Sequence, residues 1–178
     1  LSKKIIGEII KIKSSFKIPL NDKKNFRYNK NLGGGALYDV GFYPISLLFT
    51  LFKSKKIEII KSKLVKKKGL DLSGSLFLKN ENNTNFFLYW AFNSKYENFV
   101  KIYGEKGLIK VKFIFSKSIE QNGKIEIFKK KKKIINVENA NQINLTFIKQ
   151  LFKIETFNKN LEISRRIVDI IEKIKKKN

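Results

Sequence analysis

The 178-residue chain has no cysteine, no histidine and no methionine. The first absence excludes disulfides and thiolate metal sites. The second excludes imidazole ligands and every mechanism built on a Ser-His or Cys-His pair, so no metal site is expected. No apolar run reaches the roughly 18 residues of a membrane helix, and no charged-then-apolar leader opens the chain, so no membrane partner is expected. Acidic residues are scarce: 15 Asp and Glu against 39 Lys and Arg leave a formal net charge of +24. Yet 42% hydrophobic and 13% aromatic residues are too many for a disordered basic tail. The length suits one domain with its own core. Together these features predict a soluble, basic, cytoplasmic protein.

Arginine is scarce as well. Only Arg27, Arg165 and Arg166 occur, so 36 of the 39 cations are lysine. Base readers and phosphate clamps rely on the bidentate fork of arginine, so a lysine-only excess argues against a specific nucleic-acid partner. Nonspecific attraction to polyanions is still expected at this charge. Abundant Lys, Asn, Ile and Phe beside three alanines is the composition toward which a very AT-rich coding sequence drifts. The runs Lys66–Lys68, Lys129–Lys133 and Lys175–Lys177 read as solvated loops or an exposed helix end. A chain that begins at Leu1 without any methionine is expected to have a trimmed start or to be a piece of a longer protein.

Alternation predicts a strand over 8–18, then an irregular polar segment from Pro19 to Asn31. After Gly33-Gly34-Gly35, the apolar stretch Ala36–Lys53 is long enough for a helix, kinked or entered at Pro44. Seven strands are predicted over Ile57–Val65, Leu70–Lys79, Asn85–Phe92, Asn98–Tyr103, Leu108–Phe115, Lys124–Phe128 and Ile134–Val137. Short turns such as Lys68-Gly69 and Asn122-Gly123 separate them, which implies antiparallel pairing. Two helices close the chain, about Gln142–Phe152 and Leu161–Lys176. The second carries a stripe of Leu161, Ile163, Ile167, Val168, Ile170, Ile171 and Ile174. The predicted class is α+β, a mostly antiparallel sheet with helices packed on one face, as a single domain over 1–178.

One stretch carries chemistry: Arg27 to Pro44, Arg-Tyr-Asn-Lys-Asn-Leu-Gly-Gly-Gly-Ala-Leu-Tyr-Asp-Val-Gly-Phe-Tyr-Pro. Three glycines before a helix permit close approach to the backbone and offer a possible anion or cofactor contact. Asp39 and Tyr43, at i and i+4, would share one helical face. A phenol of pKa about 10 becomes a useful proton donor only when a cation or a preorganised network stabilises its anion. The alternative is a tight glycine loop, a capping or ion-paired Asp39 and a half-buried Tyr43.

The segment from Asn31 to Pro44 closely resembles the signature that opens the second domain of the Gfo/Idh/MocA family of NAD(P)-dependent oxidoreductases. Two flanks agree with it. Ile6-Gly7-Glu8-Ile9 is similar to the start of that domain's first strand, and Tyr96–Val111 to its later strand-Gly-x-x-Gly-strand hairpin. The resemblance implies a glyceraldehyde-3-phosphate dehydrogenase-like C-terminal fold that supplies substrate contacts and a homo-oligomer contact through its open sheet face. Its Asp-x-x-x-Tyr branch matches Asp39 and Tyr43. Tyr43 is then implied as general acid/base and Asp39 as a residue orienting substrate or tuning the site. Gly33, Gly34 and Gly35 are implied on the cofactor side, and Arg27 against a substrate oxygen or phosphate.

The implied activity is hydride transfer between NAD or NADP and a sugar-like hydroxyl or carbonyl. However, the chain contains neither a Gly-x-Gly-x-x-Gly turn nor the family's Glu-Lys-Pro motif. No dinucleotide-binding Rossmann domain is therefore expected within it, and the chain alone is expected to be inactive. The alternatives are a non-catalytic structural or interaction module of the same fold, or a basic nucleic-acid-binding protein.

Overall fold

The computed structural model describes residues 5–118, 120–137 and 154–178. Eight strands form one sheet: β1 Ile9–Lys17, β2 Ile57–Lys67, β3 Leu70–Asn80, β4 Asn85–Ala91, β5 Glu97–Gly104, β6 Gly107–Lys112, β7 Gly123–Phe128 and β8 Lys132–Val137. Their spatial order is β2-β3-β4-β1-β5-β6-β7-β8. Neighbours from β2 to β4 and from β5 to β8 are antiparallel, as short turns require. β1 inserts between the two meanders, parallel to β4 and antiparallel to β5. That long-range pairing makes the first strand the centre of the sheet.

Period-two alternation decides which face is covered. Ile12 and Phe16 of β1, Leu76 and Leu78 of β3, Phe86, Leu88 and Trp90 of β4, and Val100 and Ile102 of β5 are all buried. Helix α1, Phe42–Thr50, packs on that face with Ile45, Leu48 and Phe49 buried, and α2, Ile154–Lys177, packs with Ile167, Ile170, Ile171 and Ile174. Leu161 and Val168, expected in the stripe of α2, are 41% and 49% exposed. They lie seven residues apart on the flank of the row that the four buried isoleucines make. The other predicted C-terminal helix, Gln142–Phe152, lies outside the described residues.

The two flanking segments noted in the sequence meet in space. The β5–β6 turn folds over Ile6-Gly7-Glu8, with the amide of Lys106 donating to the carbonyl of Ile6 at 2.8 Å and that of Glu105 to Glu8 at 3.2 Å. No helix among the described residues is long and apolar enough to cross a membrane.

Candidate active site

The glycine-rich segment does not run straight into an α-helix. Phe26–Tyr28 and Lys30–Leu32 are short 3-10 turns, each opened by an asparagine: Asn25 Oδ1 accepts from the amide of Arg27 at 3.1 Å, and Asn29 Oδ1 from that of Asn31 at 2.9 Å. Leu37–Gly41 then forms a π-turn leading into α1. Pro44 falls in the first turn of α1. The wider i→i+5 winding just before it relieves the collision its ring would make with the carbonyl four residues back.

The glycine amides are engaged inside the loop. Those of Gly33, Gly34 and Gly35 donate to the carbonyls of Lys30, Asn29 and Arg27 at 3.2, 2.9 and 3.0 Å. What Gly34 and Gly35 contribute is clearance, whereas Gly33 supplies a left-handed φ of +73° with open space around it. Gly35 has φ +124°, and a side chain there would run into the carboxylate of Asp71.

Asp71 was not legible as a site residue in the sequence. It reaches from β3 to the start of the π-turn, where Oδ2 accepts the amide of Leu37 at 2.6 Å. The anion expected at this helix start is thus the chain's own side chain. Burial pushes the Asp71 carboxyl above its usual value, opposed in part by the amides of Leu37, Asp71 itself and Ala36 and by Lys66. The folded state therefore keeps this proton to a higher pH than the unfolded chain does. Stability falls as pH rises through the window between the two values, starting at about pH 4. Asp71→Ala is expected to cost about 1 kcal/mol for the lost cap and to flatten that fall. Urea midpoints measured from about pH 4 upward check it; an unchanged slope would assign the titration to another carboxylate.

Arg27 and Asp39 are brought together. Arg27 Nε donates to Asp39 Oδ2 at 2.5 Å, with the two side chains 32% and 29% exposed, and the guanidinium lies 4.8 Å from the Phe26 ring centroid. No hydrogen bond links Asp39 to Tyr43 among the described residues; the π-turn directs the carboxylate to Arg27 instead. Tyr43 is 39% exposed. Its ring is held edge-on against Phe16 at 5.1 Å, with Phe42 and Phe115 at 6.0 Å. Among the described residues its hydroxyl makes no hydrogen bond. A side chain with a fixed ring and an unengaged hydroxyl at the surface can present a proton to a molecule docking there.

Two supports of this arrangement also escaped the sequence reading. Asn98, buried in β5, accepts the amide of Phe115 at 3.0 Å and donates to the carbonyl of Ser116 at 2.7 Å, fixing the aromatic neighbour of Tyr43. Tyr38 of the π-turn donates to Glu172 Oε1 at 2.6 Å and accepts from Lys175 Nζ at 2.9 Å, tying the turn to α2. Neither has a motif. Each depends on contacts between residues 17 and 134 or more positions apart. No cluster of carboxylates able to hold a metal occurs among the described residues.

The sequence of residues 1–110 matches the family description GFO/IDH/MocA C-terminal domain. Among curated proteins, a dTDP-3,4-didehydro-2,6-dideoxy-alpha-D-glucose 3-reductase from Saccharopolyspora spinosa is 32% identical over 126 residues, 70% of this chain and 38% of that protein. A trans-1,2-dihydrobenzene-1,2-diol dehydrogenase from Xenopus laevis is 30% identical over 127 residues, again 70% and 38%. The chain thus spans well under half the length of these relatives. Among solved structures, KijD10, a 3-ketoreductase from Actinomadura kijaniata in complex with NADP and TDP-benzene, superposes with a TM-score of 0.84 at 21% identity. That match covers 96% of this chain and 54% of the other. An aldose-aldose oxidoreductase from Caulobacter crescentus superposes with a TM-score of 0.74 at 15% identity, covering 97% and 55%. With the sequence match extending over more than half of its residues, and the fold agreeing over nearly all of them, this chain belongs to the Gfo/Idh/MocA family as a C-terminal domain.

Proposed function

We propose that residues 1–178 form the substrate-binding and oligomerisation domain of an NAD- or NADP-dependent oxidoreductase acting on a carbonyl or hydroxyl of a sugar carried on a nucleotide. The observation that carries this reading is Tyr43, an exposed phenol with a fixed ring and a hydroxyl unengaged among the described residues, four positions after the Asp39 that pairs with Arg27. Relatives named as reductases of a dTDP-linked hexose support the substrate class.

The surface around Tyr43 fits one side of a nicotinamide. Phe42 and Tyr43 expose an uncharged aromatic wall, 37% and 39% accessible, suited to a flat ring. The engaged amides of Gly33, Gly34 and Gly35 leave no phosphate cradle there, so at the cofactor side Gly34 and Gly35 serve by clearance and Gly33 by its left-handed backbone. NAD or NADP in its reduced form, held by a separate dinucleotide-binding domain, would supply the hydride and be left oxidised. Tyr43 Oη gives its proton to the carbonyl oxygen as the carbon is reduced, and takes it back in the reverse direction. The phenolate left behind needs a cation. Arg27 is neutralised by Asp39, so that cation belongs to the other domain, where the resemblance puts a Glu-Lys-Pro lysine. Asp39 orients Arg27 through Nε and leaves its terminal nitrogens for a substrate oxygen.

The homo-oligomer contact is assigned to the sheet face opposite the helices. There Phe77 and Phe87 stack at 4.6 Å beside Tyr89, Phe99 and Tyr103. Assayed alone, the chain is expected to transfer no hydride. Joined to a dinucleotide-binding domain, in one polypeptide or in trans, it is expected to oxidise NADPH in the presence of a nucleotide-linked keto-sugar, followed by nicotinamide absorbance. Activity of the chain alone would overturn the division of labour, and inactivity of the joined protein would overturn the redox assignment.

A further inference from the structure

Between the 20–30 loop and the β2–β3 hairpin lies a cavity of about 700 Å³. Lys23, Lys24 and Lys30 face it from the loop, Lys67 and Lys68 from the hairpin; asparagines make half of the remaining wall, and among the described residues no carboxylate lines it. Lysine provides five of the thirteen lining residues against 36 of 178 in the chain, so the enrichment exceeds what composition alone would give. None of the five is ion-paired among the described residues. The acids nearest in the chain are turned elsewhere: Asp22 accepts the amide of Lys24 at 2.9 Å and Asp71 that of Leu37 at 2.6 Å. The rest of the lining is apolar or aromatic, with Leu70, Leu72 and Tyr28.

Both walls are braced. Tyr28 donates its hydroxyl to the carbonyl of Leu20 at 2.5 Å, closing the loop on itself, and its ring lies 5.9 Å from that of Phe92. Lys68 and Gly69 both have positive φ, 51° and 74°, the signature of a two-residue type I′ turn that fixes where the hairpin lysines stand. Arg27, between the lining residues Asn25 and Tyr28 in the chain, pairs with Asp39 of the π-turn, four positions before Tyr43.

We propose that this cavity binds the diphosphate of a nucleotide-linked sugar, with the nucleoside against Leu70, Leu72 and Tyr28 and the sugar directed past Arg27 to Tyr43. The proposal rests on the reading of Tyr43 as the proton donor. Lysines are point charges that suit a mobile diphosphate, and the volume lies within the ~300–1,000 Å³ usual for small-molecule sites. A dinucleotide cofactor also carries a diphosphate; the assignment here is to the substrate.

Isothermal titration of the chain with dTDP, at about 150 mM salt to screen the general field, tests it. The expected result is saturable dTDP binding that inorganic pyrophosphate displaces and NADP does not. Lys23→Glu with Lys67→Glu is expected to weaken dTDP binding roughly tenfold or more. Lys129→Glu with Lys130→Glu, the same change in net charge on the far β7–β8 turn, is expected to leave it within about twofold. Equal weakening by both pairs, no effect of either, or displacement by NADP would overturn the proposal. The glutamine versions of the first pair, with circular dichroism on every variant, separate lost binding from lost folding. Hydride transfer to a free sugar without dTDP binding removes this site and leaves the redox reading. Binding of dTDP without hydride transfer in the joined enzyme removes the redox reading and leaves the site.

Discussion

In the joined enzyme, Tyr43→Phe is expected to lower kcat by about 10²- to 10⁴-fold, the usual range for loss of a positioned proton donor, with little change in KM. Phenylalanine keeps the ring that packs edge-on against Phe16 and beside Phe42 and Phe115. The hydroxyl it lacks makes no hydrogen bond among the described residues, so unfolding midpoints should stay close to wild type. A change confined to turnover is therefore a change in chemistry rather than in packing. Arg27→Met should behave differently. It breaks the 2.5 Å pair with Asp39 and removes the fork from the substrate, so KM should rise along with a smaller loss in kcat. If Tyr43→Phe turned over at the wild-type rate, the phenol would have no part in the proton transfer, and the functional reading would lose its main support.

What the sequence discloses and what it hides follow a physical division. Strand positions were legible because alternation and turn residues are local. The Lys68-Gly69 and Asn122-Gly123 turns fall where β2 passes to β3 and where β7 begins. Placing β1 at the centre of the sheet was not legible, because Lys11 pairs with Asn85 on one side and Tyr103 on the other, 74 and 92 residues away. Asp39 and Tyr43 are singled out in the sequence by an i, i+4 spacing that is common by itself and gains weight only from the family resemblance. The π-turn between them was not legible: the pull of Pro44, the cap from Asp71 and the anchor from Tyr38 to Glu172 act together on five residues without local signal. Asn98 looks like any strand-edge asparagine in sequence, yet it is 4% exposed and sets the path of Phe113–Phe115. The resemblance supplied its flanks as separate motifs; their contact, Ile6-Gly7-Glu8 beneath the β5–β6 turn, required coordinates.

The second large effect is expected at Trp90, the only tryptophan of the chain. Its indole is 1% exposed and lies directly across from Gly74 of β3. A Cβ on Gly74 would fall within contact of Cζ2 and only 2.6 Å from Cε2, and a Cβ on Gly41 of the π-turn would lie 3.1 Å from Cδ2. The ring therefore fits between a strand and the turn that positions Asp39; it leaves no room for a Cβ on Gly74 and would have to shift by a few tenths of an ångström for one on Gly41. Trp90→Ala opens a cavity under that turn and should cost about 3–5 kcal/mol. Gly74→Val overfills the same space; about 1–3 kcal/mol or more is expected, because the rigid indole has backbone behind it. Among the described residues the buried Nε1 finds no acceptor, so Trp90→Phe loses volume but relieves an unsatisfied donor and should cost less than alanine. Combining Gly74→Ala with Trp90→Phe is expected to be less damaging than the sum of the single changes, since the smaller ring accepts the added methyl. Urea midpoints by circular dichroism give these values in every variant, and in proteins retaining Trp90 its fluorescence reports the same core directly. Strict additivity of the pair would mean that Gly74 is not required by the indole. The close approach of strand and ring would then not be what holds the π-turn over the sheet.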